Sequence, residues 1–123
     1  MIRALGDGEI QGRLPALAGW RLDPARNALH RQLRLKDFGE AFALMTRIAL
    51  VAEKMDHHPN WSNVYNTVTI ELSTHDAGNK VTALDTKLAA AIDELISKLD
   101  RLVEKYKQKT KASHAVPTGQ MPA

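Results

Sequence analysis

Two stretches of the chain place apolar residues at intervals of three and four and predict amphipathic helices. The first covers residues 37–55, where Asp37 and, three positions later, Glu40 resemble a capping box. The second begins at Thr82, has Asp85 in capping position, and carries a long apolar stripe. The apolar positions expected to face the core from the first helix are Phe38, Ala41, Phe42, Met45, Ile48, Ala49 and Ala52.

Apolar and polar residues alternate over 28–36 and over 64–74, and this period is typical of half-buried strands. Residues 19–22 predict a shorter strand, which turn-forming residues at 23–27 join to the next one. The positions expected to face the core are Leu29, Leu33 and Leu35 in one strand and Val68, Ile70 and Leu72 in the other.

The predicted elements follow each other as helix, strand, strand, helix, strand, helix. A weaker helical spacing over 7–17 supplies the first helix, and residues 1–6 read as loose. Hairpinned strands with helices between them favour an α+β fold, with an antiparallel sheet and helices packed on one face. Residues 63–65 are a candidate for a separate short strand, which would make the sheet four-stranded.

The length of 123 residues is that of one domain, and the composition excludes several kinds of chemistry. The chain has no cysteine, so disulfides, thiolate metal sites and cysteine nucleophiles are excluded. No apolar run approaches the roughly 20 residues that span a bilayer, and the first residues turn polar too early for a signal peptide. We therefore expect a cytoplasmic protein that does not bind a membrane.

The excess of positive charge lies at the C-terminal end. The formal net charge is +3, and residues 105–123 contain four lysines and no acid, so the rest of the chain is close to neutral. A near-neutral body with a basic tail is not a surface that tracks phosphates, and we expect no nucleic-acid partner. Proline and glycine follow the last lysines, so we predict a single domain over 1–106 and a disordered tail over 107–123.

The candidate chemistry lies with three histidines. His57 and His58 are adjacent and precede Pro59, which cannot continue the helix, and His75 follows the predicted strand at 64–74. Histidine titrates near pH 6.5, so it can give and take protons at about neutral pH. A surface or capping role is the alternative for each of them taken singly. The spacings of common metal sites are absent, and we expect no metal.

The residues around these histidines each allow two interpretations. Glu53 lies one helical turn before His57, where it could orient that ring, bind a substrate N–H, or simply face solvent. Asp85 could do no more than stabilise the start of its own helix. Trp20 and Trp61 suit either the core or the wall of a pocket for a flat heterocycle. With no glycine-rich phosphate loop and no nucleophile elbow, the residues predict acid–base chemistry without metal or covalent intermediates.

The chain resembles the pterin-4a-carbinolamine dehydratase family over about residues 9 to 103. The matching stretches are GW at 19–20, LKDFGEAFALMTRIALVAEKMDHHPNW at 35–61, NVYNTVTIELSTHDAG at 63–78 and TALDTKLA at 82–89. One departure is the segment HDAGNKVTALD from His75 to Asp85, which is one residue longer than the pattern typical of the family.

The resemblance implies both the fold and the reaction. The fold would be α+β, with a four-stranded antiparallel sheet and three helices packed on one face. The reaction would be the dehydration of 4a-hydroxytetrahydropterin to quinonoid dihydropterin, which recycles the pterin of aromatic amino acid hydroxylases. The pterin is then the substrate, and no cofactor is implied.

The resemblance also implies roles for named residues and a quaternary structure. His57, His58 and His75 would form the acid–base set, and Glu53 would hold the polar edge of the pterin or orient a histidine. The pocket wall or its support would comprise Trp20, Pro59, Trp61, Ser73 and Asp85. The family forms dimers or tetramers, so we expect a homodimer or homotetramer. The alternative function is a dimerisation or coactivator-type binding module that uses the exposed side of the helix at 38–55.

Overall fold

The computed structural model describes the backbone of residues 2–113 and the side chains of residues 2–99. These residues form an α+β fold with three α-helices and a four-stranded antiparallel sheet of order β1-β2-β4-β3, which confirms the predicted class. The elements are α1 (Asp7–Arg13), a 3-10 turn (Leu14–Ala16), β1 (Arg21–Asp23), β2 (Ala28–Arg34), α2 (Phe38–Met55), β3 (Asn60–Val64), β4 (Thr67–Leu72), a second 3-10 turn (His75–Ala77) and α3 (Ala83–Ser113).

The sheet buries one face and leaves the other polar. Along β4, Val68, Ile70 and Leu72 are fully buried, whereas Thr69 and Glu71 remain partly exposed. Because side chains alternate across a strand, the buried residues share the face that meets the helices. They join one core cluster with Ile48, Leu88 and others from α2 and α3. The helices therefore pack on a single face of the sheet, as the sequence predicts.

The expected strand at 64–74 is wrong in its extent, because a hairpin turn interrupts it. Val64 ends β3 and Thr67 begins β4, and the two pair with each other in the antiparallel ladder. Tyr65 lies between them in a left-handed conformation with φ of 53°. The side-chain amide of Asn63 donates to the carbonyls of Tyr65 and Thr67, at 3.0 and 2.9 Å. The turn lacks the glycine that usually marks a hairpin, and for this reason the sequence predicts the fourth strand only as a short segment at residues 63–65.

Helix α2 begins where the capping pattern predicts, because the Asp37 side chain accepts a hydrogen bond from the Glu40 backbone at 2.8 Å. Its buried face is only partly the predicted one, since Ala41, Ile48 and Ala52 are buried as predicted. Leu44 is buried, while Phe38 and Phe42 are 50% and 57% exposed and Ala49 is exposed. Two apolar stripes with the same helical spacing run along this helix, so periodicity alone does not decide which one meets the sheet.

A partly buried ion pair ties β2, together with the residue before β1, to the last helix. The Trp20 indole N–H donates to Asp93 at 2.8 Å, and the Arg31 guanidinium pairs with the same carboxylate. Burial raises the pKa of Asp93 from its usual value, against the lowering effect of both hydrogen bonds and of the charge on Arg31. Gly19 has φ of +83°, and a Cβ there would lie 2.9 Å from the Arg31 guanidinium, so glycine fits this close approach.

The prediction for the N-terminal end is wrong, and the prediction for the C-terminal end stays open. Residues 2–6 are not loose, because Leu5 is buried and its N–H donates to the Val81 carbonyl at 2.8 Å. The backbone of α3 continues to Ser113, into the span 107–123 for which a disordered tail is predicted, and residues 114–123 lie outside the described residues. The domain boundary at 106 therefore stays a prediction. Among the helices of the described segment, none is long and apolar enough to cross a membrane.

Candidate active site

The two histidines that follow α2, His57 and His58, point in different directions. The helix ends at Met55, and Asp56 caps it in a left-handed conformation with φ of 52°. His57 still donates its backbone N–H to the Ala52 carbonyl, at 3.0 Å. After this reversal the chain is no longer helical, so successive side chains point to opposite sides. His57 turns into the protein and His58 turns toward solvent.

His57 meets the carboxylate of Asp85, at the start of α3. Its Nε2 lies 2.6 Å from Oδ1 of Asp85, and the two side chains are 9% and 0% exposed. An ionised carboxylate can accept hydrogen bonds but cannot donate them, so Nε2–H of His57 is the donor. A buried charge is tolerated only where hydrogen bonds satisfy it, and Asp85 has further donors.

Two other groups donate to the second oxygen of Asp85. The Thr74 hydroxyl and the Thr82 backbone N–H each lie 2.8 Å from Oδ2. Thr82 precedes α3, and its own hydroxyl accepts the Leu84 N–H at 3.2 Å. Thr82 and Asp85 therefore cap the start of α3 together, at the positions that the sequence predicts. The simpler interpretation of Asp85 is thus correct but incomplete, since the same carboxylate caps α3 and holds His57.

His58 pairs with Glu53 near the surface. Its Nε2 lies 2.8 Å from Oε1 of Glu53, and the two side chains are 60% and 78% exposed. The option that Glu53 orients His57 is therefore wrong. That option requires the helix to continue from Glu53 to His57. Instead, α2 ends two residues before His57, and the left-handed Asp56 changes the direction of the chain.

His75 follows β4 at the start of the second 3-10 turn. It is exposed, and its Nδ1 lies 3.4 Å from the Asn79 side-chain oxygen, which is a long contact. Gly78 and Asn79 both have positive φ, at 74° and 59°. These residues turn the longer loop back toward α3, because Thr74 then forms a bridge with Lys80. The loop therefore closes despite its extra residue, and Asp85 remains in contact with His57.

A cleft of about 520 Å³ collects these side chains, which is a size suited to a small ligand. It brings together four of the residues singled out in the sequence: His57, His58, His75 and Ser73. Its other lining residues are Ile2, Asp56, Thr74, Asp76 and Leu84. Three imidazoles, contributed by the end of α2 and the end of β4, therefore face one space.

The remaining candidates do not line this cleft. Asp85 lies beneath it, fully buried against His57, and Glu53 reaches it only through His58. Pro59 is partly buried but is not part of the lining. Trp20 is in the core, and Trp61 borders a separate depression of about 140 Å³. Contact of Pro59, Trp20 or Trp61 with a substrate stays a prediction.

Thr74 and Thr82 are site residues that sequence reasoning missed. Thr74 continues the buried parity of β4, since it follows Val68, Ile70 and Leu72 at steps of two, and it is itself buried. A polar side chain at an inward position must find hydrogen-bond partners, and that signal was available in the sequence. Ile2 could not have been found in this way, because the contact between the N-terminal segment and residues 81–82 is long-range.

Metal ligation has no support from geometry. Across the part of the chain that the structure describes, no three histidine, aspartate or glutamate side chains are placed to hold a metal ion. His57 and His58 each pair with a carboxylate of their own, and those pairs point in different directions. The arrangement is suited instead to proton transfer at a ligand bound between the rings.

Comparison with known proteins identifies the family. Residues 3–95 match the family model described as pterin 4 alpha carbinolamine dehydratase. The chain belongs to this family. The match includes all the histidines of the cleft, together with Asp85, Thr74 and Thr82. The resemblance stated from the sequence motifs is therefore confirmed.

Similar proteins span the same region. Two bacterial relatives are described as inferred pterin-4-alpha-carbinolamine dehydratases. The protein from Bradyrhizobium sp. (strain BTAi1) is 54% identical over 99 residues, which is 80% of this chain and 99% of that one. The protein from Rhodopseudomonas palustris (strain HaA2) is 52% identical over 77% of this chain and 93% of its own length.

A solved structure shares the fold. The crystal structure of a transcriptional coactivator/pterin dehydratase from Brucella melitensis has a TM-score of 0.71 and 43% identity. It matches 75% of this chain and 97% of that chain.

Proposed function

We propose that this chain is a dehydratase that converts 4a-hydroxytetrahydropterin to quinonoid dihydropterin by histidine acid–base catalysis. The observation that carries the proposal is the convergence of His57, His58 and His75 on one cleft. Membership of the dehydratase family supports the reaction class. The physiological role that follows is recycling of the pterin for aromatic amino acid hydroxylases in the cytoplasm.

The reaction needs one acid and one base and no change of oxidation state overall. The bond from C4a to the hydroxyl oxygen breaks, and that oxygen leaves as water after receiving a proton from an imidazolium. The N5–H gives its proton to a neutral imidazole, and the new double bond forms between N5 and C4a. Each such proton transfer contributes on the order of 10²–10⁴-fold to the rate. No cofactor is needed, since the pterin itself is the substrate.

Each histidine has a different environment for these tasks. His57 is fixed by a buried carboxylate, His58 shares an exposed hydrogen bond with Glu53, and His75 has only a long contact with Asn79. Ser73 adds a hydroxyl to the lining. In this proposal Glu53 orients His58 or receives a pterin N–H, and Asp85 supports His57. Trp20, Pro59 and Trp61 support the pocket from outside its lining.

The direct test is stopped-flow decay of 4a-hydroxytetrahydropterin, made in situ, with and without the protein. We expect the wild type to accelerate dehydration and His58→Ala to lose most of that acceleration. His30→Ala is a matched control, because His30 lies in β2, outside the lining of the cleft, and should behave as wild type. Decay at the buffer rate with wild-type protein would refute the enzymatic proposal.

A second function is favoured by the exposed apolar side of α2. Phe38, Phe42 and Leu50 are all at least half exposed, and the two phenyl rings lie 5.9 Å apart. The related Brucella protein is named both coactivator and dehydratase. As the alternative, α2 serves a dimerisation or coactivator-type binding module. A variant with alanine at positions 57, 58 and 75 separates the two: loss of its cellular phenotype supports catalysis, and retention supports binding.

The same side of α2 is our candidate for self-association into a homodimer or homotetramer. Large exposed apolar side chains that are close together are typical of surfaces that pair. The exposed edges of β1 and β3 are a second candidate, since they carry unpaired backbone groups. Light scattering should give a mass of two or four chains of 13.6 kDa, and a mass of one chain would contradict it.

A further inference from the structure

The Asp85 carboxylate is the acceptor at the end of a chain of hydroxyl groups that lies beneath the cleft. Thr82 Oγ1 lies 2.6 Å from Thr74 Oγ1, and Thr74 Oγ1 lies 2.8 Å from Oδ2 of Asp85. All three side chains are buried. We call Thr82, Thr74 and Asp85 the hydroxyl chain. It joins the end of β4 to the start of α3 at the point where both approach His57.

The direction of every hydrogen bond in the hydroxyl chain is forced. A hydroxyl carries one hydrogen, and an ionised carboxylate can only accept. The Thr74 hydrogen therefore goes to Asp85, which leaves Thr82 as the donor to Thr74. Thr82 Oγ1 accepts in turn from the Leu84 N–H, at 3.2 Å. With Asp85 ionised, the proton positions therefore follow from the heavy-atom contacts.

This direction fixes the proton on His57 as well. With Oδ2 of Asp85 occupied by Thr74 and by the Thr82 N–H, Oδ1 is the oxygen that faces the ring. It accepts from Nε2–H, so in neutral His57 the lone pair is on Nδ1. Within the described part of the chain Nδ1 has no hydrogen-bond partner, and no buried side-chain nitrogen or oxygen there lacks one. Nδ1 therefore reaches the surface, and His57 lines the cleft.

We propose that Thr74 and Thr82 are positioning residues that hold His57 in the tautomer with its proton on Nε2 and its lone pair on Nδ1, toward the cleft. Neither hydroxyl needs to touch the substrate. Their effect passes through Asp85. Without these hydrogen bonds the carboxylate could rotate, and Oδ1 would no longer be the oxygen held toward His57. Where the proposed function holds, this tautomer makes neutral His57 the group ready to accept the N5 proton. The tautomer itself does not depend on that function.

The test combines a spectroscopic readout with kinetics on the full chain. Protein labelled with ¹⁵N at histidine is observed by long-range ¹H–¹⁵N correlation at about pH 8.5, above the ordinary histidine pKa near 6.5. The correlations separate a protonated ring nitrogen from an unprotonated one, and His57→Gln assigns the signals. The wild type should show His57 protonated on Nε2, and a wild-type ring protonated on Nδ1 would overturn the proposal.

Substitutions then ask whether the hydroxyl chain causes this tautomer. Thr74→Val keeps the side-chain shape and removes the hydroxyl, so the His57 signals should shift toward a mixture of tautomers. The turnover number kcat should fall on the order of 10- to 100-fold, the range typical of groups that orient a histidine from its far side, with KM little changed. Thr74→Ser restores the hydroxyl and should restore both readouts.

A matched control separates this effect from general destabilisation. Thr86→Val also removes a buried threonine hydroxyl on α3, but that hydroxyl donates to the Ala83 carbonyl and is not part of the hydroxyl chain. It should leave the His57 tautomer and kcat unchanged. A wild-type tautomer in Thr74→Val would overturn the proposal, as would failure of Thr74→Ser to recover. A normal tautomer pattern without dehydratase activity in the wild type would refute the proposed function alone.

Discussion

Two histidine–carboxylate pairs of the cleft have nearly the same geometry and opposite surroundings. His57 and Asp85 lie 2.6 Å apart with side chains 9% and 0% exposed. His58 and Glu53 lie 2.8 Å apart with side chains 60% and 78% exposed. The first carboxylate has two further donors, whereas Glu53 lies on the last turns of α2 with solvent around it.

The difference teaches that burial, and not distance, decides what such a pair can do. An exposed ion pair contributes about 0–1 kcal/mol and is free to exchange partners with water. A buried pair is costly to form, and removal of one partner costs about 3–5 kcal/mol because a charge remains unsatisfied. His57 is therefore held in one orientation, and His58 can move to meet a ligand.

The largest expected effect is on catalysis. Asp85→Asn keeps the shape but presents an amide whose NH₂ group can turn to Nε2, which would reverse the tautomer of His57. We expect kcat to fall on the order of 10²–10⁴-fold, because the wrong tautomer cannot offer its lone pair to the cleft. Glu53→Gln, the matched change in the exposed pair, should act mainly on KM and lower kcat less than about tenfold. The measurement is steady-state dehydration kinetics, and equal losses of kcat would erase the distinction.

The next effect is on folding. Asp85→Ala leaves three buried donors, on Thr74, the Thr82 backbone and His57, without their acceptor, and the free energy of unfolding should fall by about 3–5 kcal/mol, since each unsatisfied buried group costs about 1–3 kcal/mol. Glu53→Ala should lower it by at most about 1 kcal/mol, because both partners are exposed. Urea unfolding followed by circular dichroism gives both values. A loss of several kcal/mol from Glu53→Ala would contradict the assignment of that pair as weak.

The smallest effect is the response to salt. Coupling between Glu53 and His58, taken from a double-mutant cycle with glutamine at each position, should fall toward zero between about 0.05 and 1 M salt, because screening acts on exposed charges. Coupling between Asp85 and His57 should change little. Unfolding at the two salt concentrations measures both cycles. The comparison fails if the buried pair turns out to be the salt-sensitive one.

Local patterns predicted much of the fold and part of the site. The alternation of β4, the cap at Asp37 and the capping pair Thr82 and Asp85 each depend on neighbours a few residues away, and the structure confirms them. The three cleft histidines were identified by their chemistry and by resemblance to the family. These features are readable because short-range geometry determines them.

The wrong predictions have two causes. In one case a local pattern fits two different structures, and in the other the pattern is applied beyond the end of the element on which it depends. Helix α2 has two apolar stripes, and the packing of the sheet selects the one with Leu44 over the one with Phe42. The spacing from Glu53 to His57 assumed a helix that stops at Met55, so Glu53 meets His58 instead. The hairpin at Tyr65 has no glycine to mark it. The contact of Asp85 with His57 joins residues 28 positions apart and depends on the whole fold.

The most direct test of the account is a crystal structure with dihydrobiopterin bound. The bicyclic ring should lie in the cleft between His57, His58 and His75, with Nδ1 of His57 facing the ligand at hydrogen-bond distance, about 3 Å. Nε2 of the same ring should keep its contact with Asp85. A pterin bound elsewhere, such as the depression beside Trp61, or a His57 ring turned so that Nδ1 meets Asp85, would contradict the account.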